Sequence, residues 1–107
     1  MELDEFEKSI VSAIGKHQPL ILDVIDELKV KSREYTGPGL FVNFMPIKGK
    51  VDCGIQVLDL LGQIELQSGL VLSAHIEMSE GKPDFLEVYT LPLTEWDGTY
   101  SGFAICN

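Results

Sequence analysis

Four side chains of this 107-residue chain have the chemistry of nucleophiles or soft metal ligands: Cys53, Cys106, His17 and His75. A zinc site wants pairs at spacings such as C-x₂-C or H-x₃-H, so that one turn aims two ligands at one ion. None of the four stands at such a spacing. A thiol nucleophile wants a base within hydrogen-bond reach. Cys53 with His75 is the one Cys–His pairing to draw, and alternation sends Cys53 towards the core and His75 away from it. Carboxylates are plentiful, at 17 Asp and Glu, but spacing singles out no pair for acid–base work. Gly37-Pro38-Gly39 lacks the longer glycine spacing and the Lys-Ser/Thr of a phosphate loop, and it precedes a strand. The expectation is no catalytic residue, no metal site and no cofactor.

These residues sit in a chain organised around residues 69–91. Leu70, Leu72, Ala74, Ile76 and Met78 alternate with Val71, Ser73, His75 and Glu77. This is the period of a strand with one face on a core. Residues 79–84 (Ser-Glu-Gly-Lys-Pro-Asp) carry no apolar side chain and read as a turn. Residues 85–91 follow as a second strand, with Leu86 and Val88 on one face and Phe85, Glu87 and Tyr89 on the other. The two strands predict an antiparallel hairpin, which needs further elements to cover its apolar face.

Those elements precede and follow it. Leu3, Phe6, Ile10, Ala13 and Ile14 form one stripe of an amphipathic helix, with Asp4, Glu5, Glu7 and Lys8 off it and Gly15 as its stop. Pro19 opens a second expected helix with Ile21, Val24, Ile25 and Leu28 inward and a Glu27–Lys31 pair. Short strands are expected near 33–36, 40–45, 51–61 and 100–106, with Gly37-Pro38-Gly39 as a bend or bulge and Asp97-Gly98 as a tight turn. Helices first and strands after predict α+β: two N-terminal helices on one face of a mainly antiparallel sheet of about five strands, as a single domain over 1–107.

Composition narrows the function classes. No apolar run approaches the roughly 20 residues of a membrane helix, and the acidic start Met-Glu-Leu-Asp-Glu lacks a signal peptide's basic and apolar regions. A cytoplasmic location with reduced thiols is expected. The net charge of −9 argues against nucleic acid and permits a basic protein partner. The acidic excess is densest from Glu77 onward, with six acids and one base. Alternation also places Phe41, Phe85, Tyr89, Trp96 and Tyr100 away from the main core face, as docking aromatics or as covers for one another.

Residues 32–39 (Ser-Arg-Glu-Tyr-Thr-Gly-Pro-Gly) before an apolar strand, and residues 84–90 (Asp-Phe-Leu-Glu-Val-Tyr-Thr) with Trp96 soon after, form a pattern. It resembles that of a group of small bacterial proteins with S-R-E-[FY]-T-G-x-G and L-E-G-Y-T motifs. Val88 stands where that pattern has glycine, and Trp96 has no proline beside it. The resemblance implies no enzyme activity. It implies an immunity protein that neutralises a secreted toxin domain. On the residues, Arg33 and Glu34 on one strand and Glu87 on another are expected to form a cross-strand charge pair.

The expected function is therefore a non-catalytic protein-binding protein. Its acidic, aromatic surface would occlude the basic active-site face of a toxin domain through Asp84, Glu87, Tyr89, Glu95, Trp96 and Asp97. The alternatives are a small ligand-binding protein or enzyme with a pocket between sheet and helices lined by His75, Arg33 or Cys53, and a homo-oligomer subunit pairing through the sheet face or an edge.

Overall fold

The computed structural model describes residues 1–51 and 54–106. Cys53, with its expected inward direction and its pairing with His75, lies outside the described residues.

Helix α1 spans Glu5–Gly15. Leu3, Phe6, Ile10, Ala13 and Ile14 are all buried, as a stripe with steps of three and four requires. Asp4 caps the helix: its carboxylate accepts from the Glu7 N–H at 2.8 Å, and the Glu7 carboxylate accepts from the Asp4 N–H at 2.8 Å. This reciprocal box satisfies donors that a helix start leaves open. Glu7 is not on a wet side of the helix as expected; it is fully buried.

The expected second helix is instead two short 3₁₀ turns, Pro19–Asp23 and Ile25–Glu27. Gln18 makes no side-chain cap, and Ile21, Val24 and Ile25 crowd a helix through their branched Cβ atoms. Three-residue bonds such as Ile21 N–H to Gln18 O close it. Ile21, Val24 and Leu28 still reach the core, whereas Leu20 and Leu22 are exposed. The Glu27–Lys31 helical pair does not form, because Lys31 lies in a strand; Glu27 accepts the Gly49 N–H instead, at 3.2 Å.

Among the described residues the sheet has seven strands, where about five were expected: β1 Val30–Tyr35, β2 Gly39–Phe44, β3 Val57–Asp59, β4 Gln63–Glu65, β5 Val71–Ser79, β6 Lys82–Thr90 and β7 Ala104–Cys106. Neighbours run β1-β2-β6-β5-β4-β7, with β3 also on β5, and every pairing is antiparallel. β3 and β4 lie along one edge of β5. Seven residues from Leu58 to Ile64 oppose five from Ile76 to Leu72, so the chain bulges at Leu61 and Gly62 between them. The stretch 62–68, expected to lead into the hairpin, thus supplies a strand. β7 is shorter than the expected 100–106.

The β5–β6 hairpin is tighter than expected. Glu80 and Gly81 alone form the turn, with φ of 52° and 77°, the left-handed pair that suits twisted strands. Lys82, Pro83 and Asp84 belong to β6. Pro83 is tolerated there because β2 pairs with β6 only from Phe85 onward, so no neighbour needs its missing N–H. Thr36-Gly37-Pro38-Gly39 is a hairpin turn between β1 and β2, closed by Thr36 N–H to Gly39 O at 2.9 Å.

The core lies on one face of the sheet. Leu40, Val42, Leu72, Ala74, Ile76, Leu86 and Val88 are buried there with Phe6, Ile10 and Ile14. α1 packs on that face against β5 and β7. Among the described residues no helix covers the opposite face, which determines what it can do.

Candidate docking face

The uncovered face is ordered by register. One row crosses five strands: Glu34, Phe41, Glu87, His75 and Asp59. The next row holds Ser32, Asn43, Phe85, Glu77 and Val57, and a third holds Gly39, Tyr89 and Ser73. Glu34 and Asp59 are exposed, and Glu77 and Glu87 are half-buried.

Glu87 occupies the middle. Phe41 lies opposite it on β2 and His75 on β5, while Phe85 and Tyr89 flank it on its own strand. Phe41 meets Phe85 edge-on, with ring centroids 5.3 Å apart, and His75 tilts over Tyr89 at 5.9 Å. His75 Nε2 stands 3.2 Å from Glu87 Oε1 and 3.7 Å from Glu77 Oε2. Of the basic residues on the paired strands, Arg33 turns to the helix side, Lys82 donates to the Ile47 carbonyl at 2.6 Å, and Lys31 sits in the bulge of edge strand β1.

The residues expected to bind a partner are thus divided. Glu87 and Tyr89 lie on the open face, and exposed Asp84 lies near the hairpin end of β6. Glu95, Trp96 and Asp97 follow β6, beyond its other end; Asp84 and Thr90 are about 20 Å apart at strand rise. Glu95 and Asp97 are exposed, but Trp96 is only 6% exposed. Its indole N–H donates to the Thr99 carbonyl at 2.8 Å, its backbone N–H donates to Gly37 O at 2.9 Å, and Tyr35 meets its ring edge-on. The Thr99 hydroxyl and N–H both donate to Asp97, holding its carboxyl below the usual carboxylate range.

Two expectations for the strands are corrected. Tyr100 is not a surface aromatic: it stacks on Phe6 at 4.2 Å and donates its hydroxyl to Asp4 Oδ2 at 2.8 Å. That bond, and partial burial, push its phenol up to about 12. Arg33 does not pair with Glu87. It grips Glu7 with two bonds, Nε to Oε2 at 2.7 Å and Nη2 to Oε1 at 2.8 Å, which push its guanidinium further up. Sequence reasoning missed Glu7, although Asp4-Glu5-Phe6-Glu7 carries the spacing of a capping box.

A groove of about 460 Å³ between α1 and β7 is lined by Lys8, Ser12, Phe103 and Ile105 among others, and neither His75 nor Arg33 reaches it. A second, of about 350 Å³, lies beside Trp96 with Glu95, Asp97 and Leu70. Among the described residues no three His, Cys, Asp or Glu side chains converge as metal ligands, and no helix is long and apolar enough to cross a membrane. Cys106 is a free, exposed thiol on β7. No protein-family model, no curated protein and no solved structure matches the chain.

Proposed function

We propose that this is a non-catalytic binding protein whose open sheet face docks on a basic surface of a protein partner. The immunity form of that function, occlusion of a toxin domain's basic active-site face, is the version we favour. The observation that carries the reading is the composition of the face: the carboxylates Glu34, Asp59, Glu77 and Glu87 share it with Phe41, Phe85 and Tyr89, and Glu65 lies on the same side beyond β5. Aromatic side chains supply contact area at low entropy cost, and the carboxylates steer a cationic partner into register. The same charges repel a second copy of the face, so self-pairing there is disfavoured. Glu95 and Asp97 would add to the steering field from the loop beyond β6, and Trp96 would act by holding that loop.

The test is capture of partner proteins on immobilised protein, with Glu77→Lys/Glu87→Lys and, as a control outside the face, Asp23→Lys, exposed on the 3₁₀ turn that packs with α1 on the helix side. A stoichiometric basic protein held by the wild type and the control, weakened by high salt and lost with the double variant, is the expected result. Equal retention by all three proteins refutes docking through this face.

A further inference from the structure

The centre of the open face has a more specific shape than a field of acids. Resting on the docking function proposed above, we infer that it is a slot for a single arginine side chain of the basic partner, with Glu87 as its floor and aromatic rings as its walls. Glu87 has an aromatic neighbour on each of its four sides: Phe41 and His75 across the ladders, Phe85 and Tyr89 along the strand. The rings are joined in two pairs, Phe41 with Phe85 and His75 with Tyr89. Diagonal pairing leaves the carboxylate between the pairs, with its side chain 30% exposed.

Each part of that arrangement selects a guanidinium. A planar, delocalised cation lies flat on an aromatic ring, which a compact, strongly hydrated ammonium does less well. Its forked donors match a carboxylate in two parallel bonds. An ionised carboxylate has about four acceptor sites, so the 3.2 Å approach of His75 Nε2 to Glu87 Oε1 leaves room for such a fork. That histidine also braces Glu87 towards β5. Glu34 and Asp59, at the two ends of the same row, lie outside the rings and contribute attraction without shape.

Octa-arginine and octa-lysine peptides test the slot by isothermal titration calorimetry at physiological salt. The proteins are the wild type, Glu87→Gln and Glu34→Gln, each checked for folding by near-ultraviolet circular dichroism. The expected result is a preference of about tenfold for the arginine peptide in the wild type. Glu87→Gln should bring that preference below about twofold, whereas Glu34→Gln, with the same charge change, should weaken both peptides alike and keep it. Equal binding of the two peptides by the wild type overturns the slot and leaves the docking face standing. Equal effects of the two variants on the preference do the same. No binding of either peptide overturns both.

Discussion

Arg33→Ala is expected to be among the most damaging substitutions of a partly exposed side chain in this protein. The pair it breaks joins β1 to α1, and its two ends differ in exposure: 26% for the Arg33 side chain and 1% for Glu7. Removing the cation leaves a carboxylate in the core boundary with one remaining donor, the Asp4 N–H. Breaking a buried pair from one side costs about 3–5 kcal/mol, and that remaining bond places the loss near about 3 kcal/mol. In a chain of this size that lowers Tm by about 12 °C. The contrast is Lys29→Ala, which breaks a pair with Glu2 whose side chains are 44% and 71% exposed; such pairs are worth about 0.2–1 kcal/mol. The single tryptophan is buried, so urea unfolding followed by Trp96 fluorescence reads both variants. Replacing both partners, Glu7→Met/Arg33→Met, should recover much of the loss because no buried charge is left unpaired. The reasoning is refuted if Arg33→Ala and Lys29→Ala cost the same.

Three further outcomes follow from packing and titration. Tyr100, raised to about 12 by its bond to Asp4, should be the last tyrosine to ionise in an absorbance titration at alkaline pH, and Asp4→Asn should bring it down. Because its folded value is raised above the ordinary tyrosine value near 10, the stabilisation is complete below about pH 10 and lost as pH rises to about 12; Tyr100→Phe should abolish that slope in denaturation curves. Trp96→Ala should cost about 3–5 kcal/mol by chemical unfolding, as an anchor of the loop after β6 would; a loss under about 1 kcal/mol would mean the indole is not structural. Gly39→Ala places a Cβ 2.7 Å from the Val88 carbonyl, forcing β2 from β6. A destabilisation of about 1–3 kcal/mol is expected in the same assay, and a neutral result would show that the ladder yields freely.

Local patterns carried the parts of the fold that depend on one element. Every residue of the apolar stripe of α1 is buried, and alternation along β5 and β6 separates the buried Leu72, Ala74, Ile76, Leu86 and Val88 from their neighbours, because those follow from helix and strand periods; Glu7 and Val11, off the stripe, are buried as well through contacts that the period does not show. The short 3₁₀ turns were not legible: Ile21, Val24 and Leu28 have helical spacing, and only the branched residues and missing cap distinguish the outcome. Of the docking face, alternation gave Phe85, Glu87 and Tyr89 a common side and Phe41 an exposed one. What brings Phe41, Glu87 and His75 into one row is register, and register depends on turn length. A six-residue connection over 79–84 would set a different pairing from the two-residue turn at Glu80 and Gly81. The Arg33–Glu7 bond was out of reach for another reason: it joins elements 26 residues apart, and only the seating of α1 on the sheet brings them together. Trp96 lies in an aperiodic segment, so nothing in its neighbours' spacing announces that Gly37 and Thr99 fasten it inward.

The most direct test of the docking account is an amide chemical-shift map of the ¹⁵N-labelled protein titrated with the basic partner that capture yields. The account predicts that the perturbed residues cluster on the open face, at Phe41, Ser73, His75, Glu77, Phe85, Glu87 and Tyr89, and that the shifts shrink as salt is raised. Perturbations confined to the groove between α1 and β7, around Ser12 and Ile105, with the open face silent, would contradict it.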